Sequence, residues 1–275
     1  MPKSPKRRIL VIAPHPDDEA LATGGVIQEH LRKGHIVTVL LMTCGDGQRR
    51  GLLLPPRHFL RLGERRYRES LEALKLLGVP EKRVIAFGYP DRGLAHLCVN
   101  KQIPYTSRYT KVSAVPYEWA YSPGAPYTYE SVLGDLKKIF ERERPNIIYL
   151  PHPKDRHSDH QATHLLVRTV LEMGAQDAQT ELRHYLIHYG AWPLPAGKSP
   201  QRRLLPPRAL RHETSWLEHE LRPEQIEKKY QAIRCYRTQT QYIEDHLLSF
   251  VRRNELFALY ALSSKAANWA SSSPK

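Results

Sequence analysis

Short apolar segments rich in β-branched residues alternate with segments of helical periodicity along most of the chain. The segments predicted as strands are 8–13, 35–42, 83–87, 146–150 and 183–189. The segments predicted as helices between them are 19–33, 63–77, 129–144 and 159–173. Because strands that alternate with helices form parallel crossover units, this order predicts an α/β fold with a mostly parallel sheet flanked by helices.

The remaining segments carry weaker signals. Residues 88–128 are rich in Pro, Tyr and Ser, and an insertion of that length is uncommon and usually functional. Two further helices are predicted at 223–236 and 242–262, packed against the same domain. The low-complexity tail at 263–275 is expected to be disordered. We therefore expect a single domain over residues 1–275.

The composition restricts the class of protein. Hydrophobic residues make up 41% of the 275 residues, which is enough for a sizeable core. No apolar run approaches the roughly 18 residues that a membrane span needs, and the basic start lacks the apolar segment of a signal peptide. Three widely separated cysteines indicate no disulfide framework. We expect a cytoplasmic protein without a membrane span.

The formal net charge of +14 leaves several partners open. A nucleic-acid-binding protein, an enzyme with an acidic substrate and a chain that simply favours Arg would all have this charge. Lys and Arg are spread along the sequence rather than collected in one tract. Nucleic acid is therefore the remote alternative, and a small-molecule substrate is the expected partner.

Two dense polar clusters directly follow predicted strands. The first is PHPDDE at 14–19, and the second is PHPKDRHSDH at 151–160. Either cluster alone could be a turn followed by a capped helix. Both follow strands of one predicted parallel sheet, however, and such sheets bind ligands beyond the carboxyl ends of their strands. The two clusters together predict one functional site.

The residue types in these clusters suit metal-assisted hydrolysis. A catalytic zinc site needs about three protein ligands and one open position, and His15, Asp18 and His160 supply a His₂Asp set. Asp17 is placed to take a proton from the attacking water. We expect one Zn²⁺ per chain, although the same ligands suit another divalent ion such as Fe²⁺.

A second pair of residues is predicted to assist the reaction. His157 lies one helical turn before His160, so both imidazoles can face one cavity. His157 would stabilise the oxyanion or act as the acid for the leaving amine. Asp159 would hold His157 in its donor tautomer or raise its pKa.

Both clusters resemble the metal motifs of the LmbE-like (PIG-L-type) N-deacetylases. The resemblance lies in ILVIAPHPDDEALATGG at 9–25 and PHPKDRHSDHQA at 151–162, with weaker similarity between and after them. It implies a Rossmann-like sheet and a single Zn²⁺, with family substrates that are N-acetylglucosamine conjugates. It implies the same roles in this sequence: ligands His15, Asp18 and His160, base Asp17, and His157 with its partner Asp159.

Other positions near the motifs are less determined. Some family members carry a Tyr where this chain has Asp155, so no tyrosine role transfers there. Arg66 corresponds to a family arginine near the substrate, and Arg156 adjoins the second motif, where it could meet an anionic substrate group or pair with a carboxylate. Self-association, which is frequent in the family, stays open.

These observations together predict an amidohydrolase. The expected reaction is zinc-dependent hydrolysis of an N-acyl amide, in particular an N-acetyl group on a sugar-containing small molecule. The alternatives are a zinc amidase acting on a non-sugar or thiol-conjugate amide and, remotely, a basic nucleic-acid-binding protein without catalysis.

Overall fold

A seven-stranded, mostly parallel sheet organises the protein. The computed structural model describes residues 5–47, 54–174 and 180–260. The strands are β1 (Arg8–Ala13), β2 (Ile36–Thr43), β3 (Val84–Tyr89), β4 (Ile147–Pro151), β5 (Glu181–Tyr185), β6 (Ser215–Glu220) and β7 (Asn254–Leu259). Their order across the sheet is β3-β2-β1-β4-β5-β7-β6. The first five strands are parallel, and β7 pairs antiparallel with both β5 and β6.

Helices follow most of the parallel strands, as the alternation predicts. They are α1 (Asp18–Arg32), α2 (Pro56–Leu77), α3 (Leu94–Val99), α4 (Tyr129–Glu143), α5 (Ser158–Glu172), α6 (Pro223–Cys235) and α7 (Arg237–Leu248). Two buried apolar clusters, one on each face of the sheet, form the core. The predicted α/β fold with a mostly parallel sheet is confirmed. No helix among the described residues is long and apolar enough to cross a membrane.

The predicted helix at 242–262 is wrong. Its first part belongs to α7, which ends at Leu248, and its second part is strand β7. Leu256, Phe257 and Ala258 are all buried, so the strand lacks the polar alternation that marks a half-exposed strand. A short continuous apolar run fits a buried strand and a buried helix equally well, and here pairing with β6 decides the outcome. Strand β6 was not predicted.

The inserted segment 88–128 packs against the sheet rather than standing apart from it. It contains the short helix α3, which the sequence did not predict, and its side chains fill part of the second core cluster. Tyr117 donates to the carboxylate of Asp46 at 2.9 Å, and Trp119 stacks on Tyr67 at a centroid distance of 3.9 Å. These aromatic contacts anchor a long connection. The tail predicted at 263–275 lies outside the described residues.

A buried ion pair joins the C-terminal elements to the first helix. Lys229 of α6 donates to Glu255 of β7 at 2.7 Å, and both side chains are almost completely buried. The same carboxylate accepts the amide hydrogens of Gly25 and Val26 in α1 at 2.7 and 2.8 Å. The carboxylate thus has donors at both oxygens, which is what a charge in the protein interior requires. This contact fixes α1 against the sheet.

Candidate metal centre and active site

The two polar clusters meet at one cavity beyond the carboxyl ends of the parallel strands. The cavity has a volume of about 280 Å³. The β1–α1 turn contributes His15, Asp17 and Asp18, and the start of α5 contributes His157. Since β1 and β4 are adjacent in the sheet, the turns that follow them face each other. The predicted meeting of the two clusters is therefore observed.

Asp17 has a backbone conformation that is rare outside glycine. Its φ of 118° and ψ of −34° lie in a region that L residues seldom occupy, and such strain persists only where the surroundings enforce it. Its carbonyl accepts the amides of Ala20 and Leu21 at the start of α1, and its carboxylate accepts a hydrogen bond from Gln239 at 2.6 Å. The strained turn directs the Asp17 carboxylate into the cavity.

Three potential ligand atoms gather beside Asp17. Oδ2 of Asp18 lies 3.3 Å from Nδ1 of His15 and 3.1 Å from Nε2 of His160. Ligands at about 2.0–2.1 Å from a tetrahedral ion are roughly 3.3 Å from one another, so both separations fit edges of a coordination tetrahedron. Nε2 of His160 is also buried and has no hydrogen-bond partner, so this nitrogen is available as a ligand for a cation. Imidazole nitrogens and a carboxylate oxygen are donor types that a zinc-like ion takes.

Carboxylates lie behind both imidazoles, at the ring nitrogens that face away from Asp18. Nδ1 of His160 is 3.2 Å from Oδ2 of Asp155. Nε2 of His15 is 3.2 Å from Oδ2 of Asp159 and 3.3 Å from Oδ1 of Asp91. Histidines that bind metals usually carry a carboxylate or carbonyl at the second nitrogen, which fixes the tautomer and the ring orientation.

The surrounding charge favours a cation at this position. Burial alone would lower the pKa of His160, but the Asp155 and Asp18 carboxylates outweigh it and raise that pKa to about 10. Burial likewise opposes the charged form of His15, while Asp91 and Asp159 hold its pKa well above the usual value. Carboxylates that favour a positive charge on these two rings also favour a divalent cation at the same position.

Asp17 differs from Asp18 in its electrostatic environment. Burial, reinforced by the neighbouring Asp18 and Glu19 carboxylates, raises the pKa of Asp17 well above its ordinary value. The pKa of Asp18 is instead held low, because the adjacent His160 and His15 overcome the effect of burial. Neighbouring carboxyl groups whose pKa values are pushed apart are suited to different roles, one as a base and one as an anionic ligand.

His157 lies in the cavity as predicted, but its relation to Asp159 differs from the expectation. Nδ1 of His157 accepts the backbone amide of Asp159 at 3.3 Å, and burial lowers the pKa of His157 to about 3. The Asp159 carboxylate contacts His15 and accepts the amide of Arg92 at 2.6 Å. Because Asp159 lies in the first turn of α5, its backbone amide rather than its side chain faces His157, and the carboxylate is on the His15 side.

The two predicted substrate-binding arginines have different positions. Arg66 is buried, lines the cavity, and donates to the carbonyl of Gly45 and the hydroxyl of Thr238. Arg156 is exposed, and its guanidinium lies 4.7 Å from the ring centroid of Tyr189. Arg156 is not one of the described residues that line this cavity. The structure thus brings Arg66 to the site and leaves Arg156 outside it.

Sequence reasoning missed four residues of this site. Asp91, which follows β3, and His188, which follows β5, lie beyond strand ends, so the rule that located the two motifs could have found them. Asp155 lies inside the second motif, and its place five residues before His160 is the signal for the contact between the two side chains. Gln239 comes from α7, where the sequence has only weak family similarity, and the fold brings it to Asp17.

Comparisons with known proteins agree with this architecture. The diacetylchitobiose deacetylase of Thermococcus kodakarensis is 27% identical over 162 residues, which cover 56% of this chain and 45% of that protein. A 1D-myo-inositol 2-acetamido-2-deoxy-alpha-D-glucopyranoside deacetylase of Corynebacterium urealyticum is 28% identical over 189 residues, covering 64% of this chain and 52% of the relative. The chain thus matches about half of the length of these curated relatives.

Solved structures share the fold over nearly the whole chain. The N,N'-diacetylchitobiose deacetylase of Pyrococcus horikoshii superposes with a TM-score of 0.59 at 21% identity, covering 93% of this chain and 84% of that one. The A40926 pseudoaglycone deacetylase superposes with a TM-score of 0.60 at 17% identity, covering 95% and 100%. Residues 10–171, which are more than half of this chain, match the family described as PIG-L: GlcNAc-PI de-N-acetylase. The chain therefore belongs to the PIG-L family.

Proposed function

We propose that this protein is a metal-dependent N-deacetylase that hydrolyses the N-acetyl group of a sugar-containing small molecule. The observation that carries the proposal is the convergence of His15 and His160 on one oxygen of Asp18, with the separate carboxylate of Asp17 in the same cavity. Family membership and the names of the deacetylase relatives support it.

His15, Asp18 and His160 would hold the metal. Two imidazoles and one carboxylate suit Zn²⁺ and also Fe²⁺. A divalent ion bound there supplies a Lewis acid that polarises a carbonyl and makes a neighbouring water more acidic. Asp155 behind His160, and Asp159 with Asp91 behind His15, would keep both ligand rings in place.

Asp17 would act as the general base. As the water oxygen bonds to the acyl carbon, the Asp17 carboxylate accepts a proton from that water, a role that its raised pKa favours. The same proton then passes to the departing nitrogen. The carbon–nitrogen bond breaks, and the products are acetic acid, ionised at neutral pH, and the free amine. Gln239 would hold Asp17 in position through its 2.6 Å hydrogen bond.

His157 would stabilise the oxyanion as a neutral donor. Its Nδ1 accepts a backbone amide, so the ring hydrogen of the neutral form lies on Nε2. Burial lowers the pKa of His157 to about 3, which keeps the ring uncharged at neutral pH. A fixed donor that meets charge only as it develops stabilises the transition state more than the substrate.

The relatives and the charge of the chain support the substrate class. The matched relatives are named as deacetylases of diacetylchitobiose and of an inositol-linked 2-acetamido-2-deoxyglucoside. The buried Arg66 and Asp91 line the cavity and offer polar groups to a sugar. A net charge of +14 would further favour an anionic conjugate.

The test is a hydrolysis screen on the purified protein loaded with Zn²⁺ or Fe²⁺. Neutral and anionic N-acetylglucosamine conjugates would be compared with non-sugar N-acyl amides, and both acetate and free amine would be measured. We expect release from the sugar conjugates, and an Asp17→Asn variant that keeps the metal but loses at least about a hundredfold in kcat. Release from the non-sugar amides alone, or full activity of the variant, would refute the proposal.

A further inference from the structure

His188 lies at the cavity although it belongs to neither motif. It follows β5 by three positions and lines the same cavity as the two motif turns. Its backbone is fixed on both sides. The amides of Ile187 and His188 donate to Oδ2 of Asp155 at 3.0 Å each, and the carbonyl of His188 accepts the amide of Arg156 at 2.8 Å.

This backbone clamp places the His188 ring against the proposed metal ligands. Its centroid is 4.8 Å from that of His160, with the ring planes at 72°, and 5.1 Å from that of His157. A ring nitrogen of His188 lies within 4.8 Å of potential ligand atoms of both Asp18 and His160. The other neighbour is His246, whose ring lies at 6.0 Å and nearly parallel to that of His188.

His157 and His188 lie beside each other, and the rings of both contact that of His160. His157 also packs edge-on against the other proposed imidazole ligand, His15, with a centroid distance of 4.6 Å. His15, Asp18 and His160 would supply the three protein ligands that a catalytic zinc site takes, and such a site keeps one further position for an oxygen atom. A fourth protein ligand would close that position, but a hydrogen-bond donor beside it would serve the oxygen that enters.

We propose that His188 is a further catalytic residue, which donates a hydrogen bond from its imidazole to the acyl oxygen of the substrate and forms with His157 a two-donor oxyanion site. The inference rests on the proposed function. The bond strengthens as negative charge develops on that oxygen, so His188 contributes mainly to the transition state. His188 transfers no proton. Asp17 remains the group that takes a proton from the water and passes it to the departing nitrogen.

The test compares His188→Ala and His188→Gln with the matched control His246→Gln, which removes the imidazole on the other side of His188. We expect His188→Ala to lower kcat by about 10²–10³-fold with KM nearly unchanged, as for loss of one oxyanion donor. His188→Gln should recover part of that loss because its amide can donate. His246→Gln should stay within a few-fold of the wild type.

Two further measurements separate catalysis from metal binding. The affinity for a phosphonamidate analogue of the tetrahedral intermediate should fall in His188→Ala by about the same factor as kcat, while the zinc affinity, measured by chelator competition, stays unchanged. Unchanged kcat would overturn the inference. So would a large loss of zinc affinity with activity restored by excess zinc, since His188 would then be a ligand. An inactive wild type would instead refute the proposed function, before any variant is compared.

Discussion

Oδ2 of Asp155 lies 3.2 Å from Nδ1 of His160, and the other nitrogen of that ring lies 3.1 Å from Asp18. The imidazole is thus held between two carboxylates, of which one faces the proposed metal position and one faces away from it. Asp155 is fully buried and also accepts three backbone amides, so its position is fixed independently of any ion. We regard Asp155 as a positioning residue for His160.

This relationship predicts the metal affinity of an Asp155→Asn variant. Loss of the charge behind His160 should raise the zinc dissociation constant by about 10–100-fold, as for other outer-shell partners of metal-binding histidines. Chelator competition measures the constant directly. Glu213→Gln, which removes the charge of an exposed partner of Lys154, is the control and should leave it unchanged. Equal affinity of Asp155→Asn and the wild type would contradict the positioning role.

Gln239 should matter for turnover but not for metal binding. Its side-chain amide donates to the Asp17 carboxylate at 2.6 Å, and removal of a hydrogen bond to a charged group costs about 1.5–3 kcal/mol. We expect Gln239→Leu to lower kcat by roughly 10–100-fold with zinc content unaltered. Steady-state kinetics together with metal analysis check this. A variant that lost its zinc along with its activity would show that Gln239 supports the ligands instead.

The Lys229–Glu255 ion pair should dominate the attachment of α6. Lys229→Met leaves the Glu255 carboxylate buried with its charge uncompensated, and breaking a buried pair in this way costs about 3–5 kcal/mol. Adding Glu255→Gln should recover part of the loss, because a neutral amide oxygen still accepts from Gly25 or Val26. Urea denaturation at pH 7 measures both. A loss below about 1 kcal/mol, the range of exposed pairs, would disagree with this account.

His152, which lines no part of the described cavity, should make the fold sensitive to acid. Its Nδ1 accepts the amide of Lys154 at 3.0 Å, its Nε2 contacts the Tyr260 hydroxyl at 2.9 Å, and burial lowers the pKa of His152 to about 3. The unfolded chain, with an ordinary histidine pKa near 6.5, therefore takes up a proton first as the pH falls. Stability contributed by the neutral ring is present above about pH 6.5 and is lost towards pH 3.

The corresponding variant is His152→Asn, which keeps an acceptor for the Lys154 amide but cannot be protonated. Between pH 7 and pH 5 the wild type should lose about 2 kcal/mol more free energy of unfolding than the variant. Denaturant titrations at the two pH values give this difference, in which effects common to both proteins cancel. Identical pH dependence of the two proteins would mean that His152 does not carry this proton linkage.

The parts of the site that the sequence predicted are those encoded in consecutive residues. His15, Asp17 and Asp18 lie on one turn, and His157 and His160 lie on one helix start, so local spacing and the strand-end rule place them together. Asp91, His188 and Gln239 come from three other parts of the chain. Their contribution depends on which loops the sheet order brings side by side, and a local pattern does not contain that information.

The same limit explains the errors in the fold. The parallel strands β1 to β5 were predicted because each short apolar run is separated from the next by a helix or a long connection. Strand β7 is buried between β5 and β6, and its apolar run continued the pattern of α7, so periodicity did not separate the two. The carboxylate of Asp159 was assigned to His157 from its place in the sequence, whereas packing directs it to His15.

The most direct test of the central claim is anomalous diffraction from crystals of the zinc-loaded protein. The account predicts one ion per chain, bound at about 2.0–2.2 Å by Nδ1 of His15, Oδ2 of Asp18 and Nε2 of His160, with the Asp17 carboxylate beside it but not bound to it. An ion held by a different set of residues, or no ion at this position under zinc saturation, would contradict it.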